Sequence, residues 1–264
     1  MTTVLITGST AGVGRRLARS LAERGDTVLA HGRDAAKLDL LAKELDGARL
    51  TTFTADLASL AGVRALAARV AETRDRLDVL VNNAGVGFGG QGAGRETGAD
   101  GHELRLSVNY LAPVLLTRSL LPLLRAAAPS RIVNEGSLGQ EPIDFGDLDM
   151  ERDYDGVVAY RRSKLALAAW SFDLAEELRA DRIAVNCVHP ATFMDTAMVR
   201  DAGVTPLSTV DEGAAAVLRL IDAPPEVTGR FYDGPRESRA HRDAYDPEVR
   251  RRLREASAAL LGTV

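Results

Sequence analysis

Short apolar runs alternate with helix-like stretches along the whole of this 264-residue chain, and that alternation constrains its fold more than any other feature. Strand patterns fall at Thr3–Thr7, Thr27–His31, Arg49–Thr54, Leu77–Asn82, Arg131–Gly136, Ile183–His189 and Gly229–Tyr232. Several contain unbroken apolar triplets, such as Val4-Leu5-Ile6 and Val79-Leu80-Val81, which suit strands covered on both faces. Helical patterns run between them over Val13–Arg24, Asp34–Leu45, Ser59–Thr73, Gly101–Arg125, Ala159–Leu178 and Val210–Asp222. Leu38, Leu41 and Leu45 share one helical face, and Asp34 and Ser59 stand where N-caps belong. A last helix opens at Asp246-Pro247-Glu248, an N-cap followed by proline at the first helical position. Such alternation predicts an α/β fold, a doubly wound, seven-stranded parallel sheet with helices on both faces. No linker, repeat or low-complexity tract breaks it, so residues 1–264 read as one domain.

Ligands of open parallel sheets bind beyond the carboxyl ends of the strands. Three long segments follow strands and so belong at that edge, near 86–100, 138–156 and 191–209. The first is glycine-rich, the second acidic, and the third carries Phe193, Met194, Met198 and Val199. With 33 basic and 37 acidic residues the net charge is −4, unlike the strongly basic balance of a nucleic-acid surface. A single cysteine, Cys187, excludes an internal disulfide and fits a reducing compartment. No run reaches the ~18–20 consecutive apolar residues of a membrane span, and the first strand starts almost at Met1. A soluble cytoplasmic protein with neither nucleic-acid nor membrane partners is expected. His31, His102, His189 and His241 are scattered without metal-ligand spacing, so no metal is expected.

Directly after the first strand comes Thr7-Gly8-Ser9-Thr10-Ala11-Gly12-Val13-Gly14, followed by a helix. A strand, a glycine-rich turn and a helix N-terminus together form an anion site, because free N–H groups and the helix dipole face the ligand. On this T-G-x-x-x-G-x-G spacing the chain resembles the short-chain dehydrogenase/reductases, in their shorter form, whose Rossmann-type fold binds a dinucleotide at that turn. Asp56-Leu57 matches the position that the family sets against the adenine ring, and Asn82-Asn83-Ala84-Gly85 matches its N-N-A-G signature. The resemblance implies cofactor contacts at Gly8, Ser9, Gly12, Val13, Gly14, Asp56, Leu57, Asn83, Ala84 and Gly85. The second strand ends in His31-Gly32-Arg33-Asp34, with glycine where NAD-using members carry an acid. Arginine there suits a 2′-phosphate, so NADP(H) is expected over NAD(H), with Arg33 and Ser9 at the phosphate. The alternative has Asp34 capping the next helix and Arg33 in solvent. Ala11 departs from the basic residue that many NADP-using relatives have.

Tyr160 and Lys164 lie four apart in a helical stretch and project from one face. A phenol of ordinary acidity shuttles protons poorly near neutral pH, and an ammonium one turn away favours its ionised form. Only three of the 33 basic residues are lysines, and one of them stands here. The resemblance makes Tyr160 the acid–base group, Lys164 its partner and ribose contact, Ser137 the residue orienting the substrate oxygen, and Asn109 the holder of a proton-relay water. It also places Pro190 and Phe193 at the nicotinamide, although Ala191 replaces the usual glycine after the proline.

Four further features carry alternative readings. The 22 residues between Ser137 and Tyr160 exceed the spacing in many relatives. They look closer to the retinol-dehydrogenase-like branch, as do the stretch from Glu103-Leu104 and the Thr228–Tyr232 strand. The acidic insert between Glu141 and Asp155 is a solvated loop or a wall of the substrate pocket. Glu135, in an otherwise apolar strand, is paired with an arginine or a backbone N–H, or it acts on the site. The segment after Pro190 is an apolar lid or packs on the sheet, and Trp170, Phe172 and Leu174 belong to the core or a subunit interface. The expected activity is NADP(H)-dependent hydride transfer with a small-molecule carbonyl/alcohol substrate, a moderately large apolar ketone or aldehyde. Alternatives are a non-catalytic dinucleotide-binding sensor or scaffold, and epimerase or dehydratase chemistry; a homodimer or homotetramer is left open.

Overall fold

The computed structural model describes residues 1–89 and 92–262, so two residues of the first long loop lie outside the described set. Its sheet contains β1 (Thr3–Ile6), β2 (Thr27–Gly32), β3 (Leu50–Thr54), β4 (Val79–Asn82), β5 (Ser130–Glu135), β6 (Ile183–His189), β7 (Arg230–Asp233) and β8 (Arg236–Ser238). The strand order is β3-β2-β1-β4-β5-β6-β7-β8, and the first seven strands in sequence run parallel. β8 corrects the expectation of a seven-stranded, wholly parallel sheet, since it pairs antiparallel with β7. Its three residues, Arg-Glu-Ser, are all exposed and carry no apolar pattern to read. A tight return at Gly234 (φ +53°) places them on the edge instead.

Alternate residues of each strand feed two separate cores, as the period of two demands. Leu5, Leu29, Leu80, Ile132 and Val185 meet α3 (Leu60–Thr73), α5 (Ala112–Ala126), α6 (Gly156–Glu177) and α9 (Pro247–Leu261) on one face. Val4, Val28, Val81, Val133 and Val188 meet α1 (Gly12–Glu23), α2 (Ala35–Glu44) and α8 (Val210–Ile221) on the other. This two-sided burial is why the strands read as continuous apolar runs. Trp170, Phe172 and Leu174 are buried in the first core, where Phe172 stacks on Tyr245 with ring centroids 4.8 Å apart.

The helix expected over Gly101–Arg125 runs from Leu104 to Ala126 as α4 (Leu104–Leu106), a π turn (Ser107–Leu111) and α5. Its 23 residues are long and apolar enough to cross a membrane, but 78% of the apolar window is buried in the fold. A further short helix, α7 (Ala197–Asp201), lies in the segment after β6, where no helix was expected.

Candidate active site

The parallel direction of β1 to β6 brings to one edge the strand ends that carry the glycine turn, Arg33, Asp56, Asn83 to Gly85, Ser137 and Pro190. Beyond β1 the chain turns through Gly8 (φ +70°) and Gly12 (φ +51°), a region that costs glycine no steric strain. Gly14 answers a different constraint: a Cβ there would lie 2.5 Å from Asn83 Nδ2 and closer still to Gly8 O. Ala11 supplies no side-chain cap to α1, and no acid occupies the first turn. The helix therefore presents free N–H groups and its positive dipole end beside β1 and β4, where the strand order reverses. Asn83 holds the turn in place, its Nδ2 donating to Thr7 O at 2.6 Å and Gly8 O at 3.1 Å. Thr7 Oγ1 accepts from Asn83 N and Ala84 N, both at 3.0 Å. Gly8, Gly12, Val13, Gly14, Asn83 and Ala84 thus come together as a cradle fitted to a phosphate group.

Ser9 does not join them. It is fully buried and its Oγ donates to Ile6 O at 2.7 Å, so the hydroxyl closes the turn instead of facing a phosphate. At the end of β2, a Cβ on Gly32 would lie 2.7 Å from Thr10 Cγ2, so an acid there would require the turn to shift. Arg33 is exposed and pairs with no described residue, while Asp34 accepts from Lys37 N at 3.2 Å and caps α2. Asp56 is exposed at the end of β3 with Oδ1 accepting from Ala58 N, whereas the Leu57 side chain is buried in the core.

His31 supports this cradle, a role not anticipated from the sequence. Its Nδ1 accepts from Gly8 N at 3.2 Å, so Nε2, 3.1 Å from Ala55 O, carries the proton and donates. Both bonds need the neutral ring, and burial pushes its pKa below 6.5. The unfolded chain then binds a proton at higher pH than the folded one, so stability is lost as pH falls below about 6.5. Thermal melts of the protein and a His31→Gln variant between neutral and mildly acidic pH should show a shallower acid decline in the variant. His189, with the same direction of shift, accounts for part of what remains.

At the chemical end, Asp155 caps α6 by accepting from Val157 N and Val158 N, which starts the helix one turn earlier than expected. Tyr160 is half-buried, with Phe88 edge-on to its ring at 5.9 Å and Lys164 Nζ 5.7 Å from its centroid. Lys164 is buried and donates to Glu135 O at 2.7 Å. Asn109, on the π turn, accepts from Val86 N at 2.8 Å and donates to Val86 O and Ser163 Oγ, both at 3.0 Å. Ser163 in turn donates to Tyr160 O at 2.7 Å. Single π turns inside α-helices recur at functional sites, and this one carries Asn109. Gly85 passes close by: a Cβ there would lie 3.2 Å from Asn109 Oδ1 and 3.7 Å from Lys164 Nζ. Ser137 Oγ accepts from Gly139 N at 3.0 Å, which leaves its own O–H free to donate.

Residues 2–205 match the short chain dehydrogenase family. The chain belongs to that family. Retinol dehydrogenase 13 of Homo sapiens is 34% identical to this dehydrogenase over 284 residues, covering 98% of this chain and 84% of the relative. An uncharacterized protein from Mycobacterium Paratuberculosis superposes with a TM-score of 0.80 at 29% identity, covering 99% of this chain and 93% of the other. RhlG of Pseudomonas aeruginosa, in a complex with NADP, gives 0.73 at 30% identity, covering 88% and 94%. The dehydrogenase stands in the retinol-dehydrogenase-like branch and is an oxidoreductase acting on CH–OH with a nicotinamide dinucleotide.

The acidic insert of the dehydrogenase is not a free solvated loop. Asp149 accepts from Glu103 N at 2.8 Å and lies 3.1 Å from His102 Nδ1, while Asp149 O accepts from Arg95 Nε at 2.7 Å. Tyr154 reaches a fully buried Arg105, whose Nη1 donates to Tyr154 OH at 2.8 Å and to Glu103 Oε1 at 3.2 Å. Arg105 Nε also donates to Gly87 O at 3.0 Å. One buried network therefore joins the glycine-rich loop, the start of the long helix and the acidic insert. Glu103 and Arg105, two charges opening an apolar helix, were its only trace in the sequence.

The segment after β6 closes on itself through the Met194–Ser208 bridge. It approaches the glycine turn, where a Gly12 Cβ would lie 3.3 Å from Thr196 Cγ2, and the first loop, where a Gly87 Cβ would lie 2.7 Å from Met198 Cγ. Pro190 is buried and Met194 packs against the core of α1 and α8, but Phe193 (φ +45°) and Met198 are each 41% exposed, so this flap is anchored on the core at Met194 and exposed at its other apolar side chains. Among the described residues, neither an arginine nor a backbone N–H reaches the buried Oε1 of Glu135. Among the described residues no cluster could hold a metal ion.

Proposed function

We propose that this dehydrogenase transfers hydride between NADP(H) and a carbonyl/alcohol pair on a moderately large, apolar small molecule. The observation that carries the reading is the fixed Tyr160–Lys164 pair at one end of a crevice whose other end is an uncapped helix N-terminus. Bound there, the nicotinamide supplies or accepts the hydride. The substrate oxygen lies between Tyr160 and Ser137, and the free Ser137 O–H donates to it. Tyr160 gives its phenolic proton to that oxygen during reduction and takes it back during oxidation. Lys164, held on Glu135 O, keeps a cation beside the Tyr160 ring. Asn109 fixes the Val86 backbone and, through Ser163, the turn of α6 that carries Tyr160. The exposed apolar side chains of the flap, Phe193 and Met198, favour an apolar substrate and exclude water when it is held.

The preference for NADP(H) rests on Arg33, an unpaired exposed cation beside a strand end that ends in glycine. A hydrogen bond to a charged group contributes about 1.5–3 kcal/mol, or roughly 10- to 150-fold in affinity. Arg33→Ala should therefore lower kcat/KM for NADPH by about that factor and leave NADH nearly unchanged. A panel of apolar ketones and aldehydes followed by nicotinamide absorbance tests both parts. Turnover of none of them with either cofactor, or a strong NADH preference, would overturn the corresponding part.

A further inference from the structure

The proton path just described leaves the buried carboxyl of Glu135 unused. It is 7% exposed, and Oε1 has no hydrogen-bond partner among the described residues. Its direction follows from the strand. Val133, two residues earlier, packs in the core of α1 and α8, and Val188, the register partner of Glu135 in β6, belongs to that same core. Glu135 therefore faces the side of the sheet that bears the glycine turn, because Val13 from the first turn of α1 lies in this core too. It ends β5 on the cradle's side of the sheet, and its own backbone oxygen holds the Lys164 ammonium.

The surroundings are poor in charge. α1 and α8 present Val13, Leu17, Ala214 and Val217 to this core. β4 contributes Val81 to this side, while Asn82 turns to the other face, where its Nδ2 donates to Thr117 and Asn134. β6 contributes Val188 and, after it, His189, whose Nε2 lies 3.0 Å from Thr192 Oγ1 and whose burial favours the neutral ring. α6 contributes Tyr160 and Lys164, and the Lys164 ammonium is the charge that acts on the carboxyl. Burial outweighs that ammonium and pushes the Glu135 carboxyl up to about 8, so at neutral pH it holds its proton. A second positive charge arriving at this end of the crevice would tip the balance toward the carboxylate, and a neutral ring would not.

Resting on the reading of this crevice as a nicotinamide site, we propose that Glu135 senses the redox state of the cofactor. Its carboxyl gives a proton to solvent when the oxidised, cationic nicotinamide binds, and keeps the proton when the reduced, neutral form binds. No electron moves in this step; one O–H bond breaks and the resulting carboxylate pairs with the cationic ring. Affinity for NADP+ should then rise with pH up to about 8, by as much as tenfold per pH unit, while affinity for NADPH changes far less.

The test uses the Tyr160→Phe protein, so that the phenol cannot be the proton source. Calorimetric titration in two buffers of different ionisation enthalpy counts protons released per NADP+ and per NADPH bound near pH 7. The expected result is a large fraction of one proton with NADP+, close to none with NADPH, and loss of the difference when Glu135→Gln is added. Equal release with the two forms, or release undiminished by Glu135→Gln, overturns the proposal while leaving the nicotinamide site standing. Binding of neither form overturns both. Should Glu135→Gln fail to fold, infrared difference spectra of the parent protein decide: a carboxylic C=O band lost on adding NADP+ supports the proposal, and its persistence refutes it.

Discussion

Tyr160→Phe should lower kcat by about 10²–10⁴-fold, the usual contribution of a positioned acid–base group, with NADPH affinity unchanged. The substitution removes only the hydroxyl. The ring keeps its edge contact with Phe88, and Ser163 still binds the backbone carbonyl of residue 160. Lys164 also stays in place, because Glu135 O and not the phenol holds its ammonium. The loss should therefore appear in the chemical step and not in folding or cofactor binding. Steady-state kinetics together with NADPH fluorescence titration separates the two, and near-normal turnover would refute the assigned proton transfer.

Arg105→Met should destabilise the protein by about 3–5 kcal/mol, because it strands a buried carboxylate. At the 2–4 °C per kcal/mol typical of somewhat smaller domains, Tm should fall by roughly 10 °C. Arg105 and Glu103 side chains are each 2% exposed, and Glu103 would keep only Leu106 N and Tyr154 OH as partners. The double variant Arg105→Met/Glu103→Leu should regain part of this stability, since no unpaired charge remains. It should still raise KM, because the tie from Arg105 Nε to Gly87 O is lost and the first loop is freed from the acidic insert. Losses that simply add across the two single variants would show that the residues do not act as a pair.

The parts legible in the sequence share a physical reason: they depend on local pattern. Apolar triplets at strand positions, N-caps at Asp34 and Ser59, and glycines at 8, 12 and 14 are short-range requirements of strand, helix and turn. The order of Ser137, Tyr160 and Lys164 behind their strands was legible for the same reason, and parallel pairing brought these ends to one edge. β8 was not legible, because three exposed polar residues become a strand only through the neighbour they pair with. Ser9 was read as a ligand contact because sequence shows a hydroxyl but not its direction. His31 and Arg105 escaped because their roles lie in partners far along the chain, Gly8 and Ala55 for one, Gly87 and Tyr154 for the other.

The sequence by itself determined that this chain is a doubly wound α/β protein with a phosphate turn after its first strand and a tyrosine–lysine pair on a helix. These follow from periodicity and steric permission, which act over a few residues. The tertiary structure alone decided which charges are paired. It tied the acidic insert down through Asp149 and Tyr154, left Arg33 exposed, and buried Glu135 beside Lys164 with no partner for Oε1 among the described residues. Pairing and desolvation depend on what surrounds a group in space, and a carboxylate has the same letter in water as in the core.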